Sequence, residues 1–270
     1  MSTAVTRDFL TRTWTGLQVE VDGHAAVVTL SNPPANTWTV DSLSALRDLV
    51  AALNDDRDIY ALVITGEGEK FFSAGADLKQ FASGDKAHAR EAAERFGEAF
   101  EALSAFRGVS IAAINGYAMG GGLECALACD LRIAEEQAQM ALPEATVGLL
   151  PCGGGTQNLT RLAGEGWAKR MILLGERIDA ATALRIGVVE DVVGRGEAKA
   201  KALEWAAKAA KQSPSSVAAC KTLVQTTRSQ PATAGLVAER DLFVGLFDTA
   251  DQKEGVAAFL DKRSPEWKNA

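Results

Sequence analysis

The chain has 270 residues, a mass of 28.4 kDa, 47% hydrophobic and 23% charged residues, which is enough to bury a core without disulfides or metal. Its net charge of −7 comes without any basic run, which argues against a nucleic-acid surface and against an anionic membrane. No stretch reaches the length of a membrane-spanning helix, and Met1 to Gly16 holds no apolar segment of the secretory type.

Four cysteines, Cys125, Cys129, Cys152 and Cys220, form no C-x-x-C motif and read as free thiols in a reducing, cytoplasmic setting. The two histidines, His24 and His88, cannot build a zinc or iron cluster, and each is expected on the surface or in a loop. No G-x-S-x-G supports a serine nucleophile.

In chain order, Leu17–Val21 and Ala25–Leu30 predict two strands around the turn Asp22-Gly23. Val40–Leu53 predicts a helix with Leu43, Leu46, Leu49, Val50 and Leu53 on one stripe. Ile59–Thr65 is a continuous apolar run of the buried-strand kind. Phe71–Ser73 reads as a short strand, and His88–Phe106 as a second amphipathic helix. Ser110–Asn115 is strand-like, Gly120–Ala128 helical and Leu131–Ala134 a strand. From Thr156 the pattern is mostly helical, with Lys199–Lys211, Pro214–Arg228, Ala232–Phe247 and Asp251–Lys262 as members. The result is an α/β core over residues 1–195 and a helical region over 196–270. Strand spacing is irregular, and no sequence repeat stands out.

Three segments concentrate unusual residues. Phe72-Ser73-Ala74-Gly75-Ala76-Asp77-Leu78-Lys79 leads a strand through glycine into a helix start. Ile114-Asn115-Gly116-Tyr117-Ala118-Met119-Gly120-Gly121-Gly122-Leu123-Glu124 does the same through four glycines. Glycine costs a helix roughly 1 kcal/mol per residue relative to alanine, so Gly120–Gly122 must answer a need for close approach or unusual φ. The third is Leu142-Pro143-Glu144, followed by Gly148-Leu149-Leu150-Pro151-Cys152-Gly153-Gly154-Gly155-Thr156-Gln157. A tight turn explains any one cluster. None is a G-x-G-x-x-G or a G-x-x-x-x-G-K-[ST] phosphate loop, so a dinucleotide enzyme has weak support.

Together the clusters resemble the enoyl-CoA hydratase/isomerase (crotonase) superfamily, from about Leu17 to Arg263. The carrying motifs are Ser73-Ala74-Gly75-Ala76-Asp77-Leu78, Asn115-Gly116 with Gly120-Gly121-Gly122-Leu123-Glu124, and Pro143-Glu144 with Gly154-Gly155-Thr156-Gln157. Asp251-x-x-Glu254-Gly255-x-x-Ala258-Phe259-x-x-Lys262-Arg263 adds a fourth.

The resemblance implies a spiral of ββα turns with C-terminal helices used for trimer contacts, often as a dimer of trimers. It also implies an acyl-CoA thioester substrate, no metal and no separate cofactor. By motif match, the N–H groups of Ala76 and Gly121 bind the thioester oxygen as an oxyanion hole. Alone, Glu124 and Glu144 would pass for two of the 35 surface acids. In the resemblance they become the catalytic pair, Glu124 activating water for attack at C3 and Glu144 giving the proton to C2. Ala74, Ala76, Asp77, Leu78 and Lys79 should line the adenine and pantetheine path, with Phe259 and Lys262 reaching CoA from a neighbouring subunit.

Three departures stand out. Cys152 replaces the glycine usual after Pro151, which bears on pocket shape. Gly108-Val109 stands in place of Lys-Pro. Ser31-Asn32-Pro33-Pro34-Ala35-Asn36 differs from the commoner Leu-Asn-Arg-Pro.

The leading expectation is hydration of 2-enoyl-CoA to 3-hydroxyacyl-CoA, as in fatty-acid breakdown. The alternatives on this fold are a Δ3,Δ2-enoyl-CoA isomerase or a hydratase for branched or aromatic acyl groups. A non-catalytic or RNA-binding protein of this fold is the reading from another class, and the acidic balance and paired glutamates oppose it.

Overall fold

The computed structural model describes residues 7–270. The first six residues of the Met1 to Gly16 segment lie outside the described part. The chain opens with a 3-10 turn at Asp8–Leu10 and an antiparallel pair, β1 (Leu17–Asp22) and β2 (Ala25–Leu30). Helix α1 (Val40–Asp55) follows. It starts at a reciprocal capping box between Thr39 and Ser42, which satisfies two first-turn N–H groups.

Three ββα turns come next. The first is β3 (Ala61–Gly66), β4 (Phe71–Ser73), a 3-10 turn at Leu78–Phe81 and α2 (Lys86–Ser104). The second is β5 (Val109–Ile114), β6 (Tyr117–Met119) and α3 (Gly121–Ala128). The third is β7 (Leu131–Glu135), β8 (Gln139–Ala141), a 3-10 turn at Glu144–Val147 and α4 (Gly155–Leu173). Then come β9 (Ile178–Asp179), α5 (Ala180–Arg185), β10 (Asp191–Val193), α6 (Ala198–Ala209), α7 (Pro214–Thr226), α8 (Ala232–Gly245), a 3-10 turn at Leu246–Asp248 and α9 (Ala250–Leu260).

The first strand of each turn joins one sheet and the second strand joins another. The six-stranded sheet runs β1-β2-β3-β5-β7-β10, parallel from β2 onward. The four-stranded sheet runs β4-β6-β8-β9, with only β9 antiparallel. This is the expected α/β spiral. The repeat lies in topology and not in sequence: the turns differ in length, and their second strands are three residues each, too short for a periodic signature.

The central strands read as unbroken apolar runs because both faces are covered. One face of the large sheet, through Val28, Leu62, Ile64, Ala112 and Ile114, packs into the main core with α1, α2 and α3. The other face, through Val27, Val63, Ile111 and Ile133, packs on Ala198, Ala202 and Ala206 of α6. Those alanines recur every four residues, so the first C-terminal helix lies flat on the sheet.

Most predicted elements occur within a few residues of their expected bounds. The strand expected at Ile59–Thr65 starts at Ala61, and the helix expected at Ala232–Phe247 ends at Gly245 in a 3-10 turn. Helix α4 carries a non-helical Gly164, at φ 79°. His24 is exposed in its turn and stacked on Tyr60, and His88 is half-buried on α2. All four cysteines are free, with Cys125 and Cys129 buried. Among the described residues no helix is long and apolar enough to cross a membrane.

Candidate active site

Three junctions where the small sheet ends meet at one cavity of about 540 Å³. After β4, Trp38 N–H donates to Gly75 O and Asp77 N–H donates to Trp38 O. Backbone groups of an extended strand alternate in direction, so the Ala76 N–H points away from Trp38. After β6, Gly120 adopts φ 52° and ψ −126°, a conformation open to glycine, and α3 starts at Gly121. As the first helical residue, Gly121 has an N–H with no partner inside the helix. The two turns touch: a Cβ on Gly75 would lie 3.2 Å from Gly121 N and 2.7 Å from Met119 O. Two backbone donors thus sit side by side at a helix N-terminus, a setting that favours negative charge.

Glu124 sits one turn into α3 and is 2% exposed. Its Oε1 accepts N–H bonds from Gly153 and Gly155, each 2.8 Å. Gly154 between them is left-handed, at φ 96°, which turns both amides to one point. Burial pushes the Glu124 carboxyl up to about 7; the Gly155 N–H opposes the shift and the Glu144 charge adds to it. Glu144 opens the 3-10 turn after Pro143, and neither of its carboxylate oxygens has a hydrogen-bond partner, although both are shielded from solvent. Burial raises its pKa too. A Cβ on Gly120 would come within 3.1 Å of Glu144 Oε1, so this carboxylate leans over the Gly120–Gly121 turn.

Cys152 lines the same cavity, and its thiol is pushed up to about 11 by burial and then by the two glutamates. The structure therefore brings together Ala74, Ala76, Leu78, Gly121, Glu124, Glu144 and Cys152. Asp77 and Lys79 lie outside the lining; the Asp77 carboxylate accepts from Lys79 N–H and caps the 3-10 turn. Phe259 and Lys262 lie at the end of α9, outside this chain's cavity, with Phe259 83% exposed.

Sequence reasoning left three contributors without a role. Gly153 and Gly155 lie within a quoted motif, but their service to Glu124 depends on a side chain about thirty residues away in the chain. Phe96 reads as one more core aromatic on α2, yet it lines the cavity, and a Cβ on Gly121 would lie 2.6 Å from its ring.

A spiral of ββα turns, paired backbone donors and two carboxylates in an otherwise apolar cavity define the crotonase class of fold and site. The model of the enoyl-CoA hydratase/isomerase family matches residues 20–270, and the chain belongs to that family. It is 36% identical to a short-chain-enoyl-CoA hydratase of Clostridium acetobutylicum, over 92% of this chain and 95% of that one. It is 40% identical to a 2,3-dehydroadipyl-CoA hydratase of Escherichia coli, over 90% and 94%. Among solved structures, Pseudomonas aeruginosa DspI shares 63% identity over 99% of this chain and 100% of that one, with a TM-score of 0.93. An enoyl-CoA hydratase of Bacillus anthracis shares 36% identity over 94% and 100%, with a TM-score of 0.90.

Proposed function

We propose that the chain hydrates 2-enoyl-CoA thioesters to 3-hydroxyacyl-CoA, with Glu124 as base and Glu144 as acid. The carrying observation is the asymmetry of the pair. Two amides hold one Glu124 oxygen at 2.8 Å and favour its anion, whereas neither Glu144 oxygen accepts a hydrogen bond and only its own backbone amide opposes the effect of burial.

In this reading the thioester oxygen accepts from Ala76 and Gly121 N–H. Water gives a proton to Glu124 as its oxygen bonds to C3. The C2=C3 electron pair moves onto the thioester oxygen as an enolate, and the two N–H donors stabilise that charge. One such donor is worth about 2.7–4 kcal/mol in the transition state. The enolate collapses as Glu144 passes its proton to C2. The pair then exchanges a proton with solvent to restore its starting state. A bound acyl chain covers half-buried Glu144 and holds it protonated more firmly.

Water and two carboxylates supply every proton and bond, so no cofactor beyond the substrate's own CoA enters the scheme. We assign the CoA path to the backbone of residues 74–79. A neighbouring subunit brings Phe259 and Lys262, within a trimer or a dimer of trimers.

The test is hydration of the four-carbon 2-enoyl-CoA, followed by loss of the enone-thioester absorbance. Glu124→Gln and Glu144→Gln should each lower kcat by at least ~10², the low end for one acid–base group. The double variant should be barely worse than either single, because the two act as a unit. Near-wild-type hydration by Glu124→Gln would refute the two-carboxylate scheme. If that variant also kept 3-enoyl to 2-enoyl conversion, an isomerase with Glu144 as sole base would replace it.

A further inference from the structure

The cavity continues beyond the glutamates. Ala89, Ala93 and Phe96 share one face of α2, and all three line it. Phe96 stands against the oxyanion turn, within 2.6 Å of a Cβ built on Gly121. From Phe96 back to Ala89 the helix retreats from the reacting position by about 10 Å, at ~1.5 Å per residue.

The other apolar residues of the lining include Val147, Leu149 and Leu150, on the segment that begins at Glu144. They are 52%, 45% and 68% exposed, and apolar side chains left in water around a cleft mark a surface that an apolar ligand covers. Among the described residues, the cavity's ionisable side chains are Glu124, Glu144 and Cys152, with no cation.

We propose that this limb is the acyl-chain channel and that Ala89 and Ala93 set its length preference. The occupant is a straight, uncharged 2-enoyl chain of medium length. This rests on the hydratase reading above. Carbon–carbon bonds of ~1.5 Å at tetrahedral angles advance an extended chain by about 1.25 Å per bond. The stretch from Phe96 to Ala89 therefore takes about eight carbons beyond the reacting pair. Two small side chains on that face leave the width for it. A six-carbon chain ending in a carboxylate would place that charge three bonds past the reacting pair, short of the exposed mouth, with no cation in the lining to meet it.

The experiment compares kcat/KM for hydration of straight 2-enoyl-CoAs with even carbon numbers from four to twelve, and of an ω-carboxylated chain. Each methylene buried can raise kcat/KM up to about fourfold, so a rise of at least tenfold is expected between the four-carbon substrate and the optimum. The ω-carboxylated chain should be at least tenfold poorer than an uncharged chain of equal length.

Ala93→Phe should cut turnover of the longest substrates at least tenfold while the four-carbon substrate loses less than threefold. Ala89→Phe, at the exposed mouth, should penalise only the longest chains. It serves as the second variant if Ala93→Phe folds poorly, as judged by thermal melting.

Hydration of the four-carbon substrate with no gain at greater length would overturn this proposal and leave the hydratase reading intact. Equal losses on short and long chains in both variants would overturn the assignment to Ala89 and Ala93. Absence of hydration on every chain would overturn the hydratase reading itself.

Discussion

Replacing Glu124 by glutamine removes a charge that the fold buries, so two measurements should move together. With its carboxyl pushed up to about 7 from 4.5, the native chain holds a proton between those values that the unfolded chain has lost. Stability from this group is therefore greatest below about 4.5 and declines as pH rises through 7. Glu124→Gln is free of that loss. Its stability relative to wild type should be higher at pH 8 than at pH 5, by up to ~3 kcal/mol, measured by urea unfolding at the two pH values. An unchanged difference would show that Glu124 ionises as an ordinary surface acid. Activity runs the opposite way. In the proposed scheme Glu124 accepts the proton as an anion, so kcat/KM should fall about tenfold per unit below an apparent pKa near 7. Because the Glu144 charge is one cause of the raised value, residual activity of Glu144→Gln should show its acid limb at lower pH. Both glutamates were visible as residues in the sequence. Their asymmetry was not, because it depends on which amides reach a carboxylate through space.

At the scale of elements, the glycine junctions and a buried arginine hold the site's frame. Gly122, next to the proposed oxyanion donor Gly121, faces the backbone of β4: an added Cβ would lie 2.2 Å from Ser73 O, where no flexible side chain can yield. Gly122→Ala should force α3 away from β4, with loss of activity and a lowered melting temperature together. Arg132, 2% exposed on β7, donates to Val188 O, Cys129 O and Asp130 O and pairs with Glu190, tying the third turn to the segment before β10. Glu190 is exposed and can turn to water, but the buried Val188 and Cys129 carbonyls lose their donor, so Arg132→Met should cost about 3 kcal/mol by urea unfolding, with little change in the pH profile of kcat/KM. The long elements were legible because their patterns accumulate over length: the leucine stripe of α1 faces the main core, and the unbroken apolar run of β3 divides between that core and the α6 side of the sheet. The strands β6, β8, β9 and β10 span two or three residues each, and only pairing with neighbours defines them. The glycine clusters marked where the site lies, although β4 was the one strand of the small sheet that could be read from the sequence.

At the scale of the whole molecule, the C-terminal helices leave much apolar surface uncovered within one chain. Phe243 is 63% exposed, Phe247 52%, Phe259 83% and Leu260 72%, and the rings of Phe243 and Phe247 pack edge-on, 5.5 Å apart. Solvated aromatics at this density on neighbouring elements mark an association surface. The trimer proposed above covers them and explains why Phe259 and Lys262 fall outside their own chain's cavity. Sedimentation equilibrium should then give a particle of three or six chains of 28.4 kDa. Phe243→Asp places a charge in the contact and should shift the particle toward monomer at micromolar concentration, with KM for the CoA thioester rising as assembly is lost. The Glu124 and Glu144 apparatus lies within one chain, so kcat at saturation should fall less than kcat/KM in the same variant. A wild-type chain that sediments as a monomer with full activity would remove both the trimer and the neighbour's role in holding CoA. An assembled Phe243→Asp variant with unchanged KM would place the contact elsewhere on the helical region.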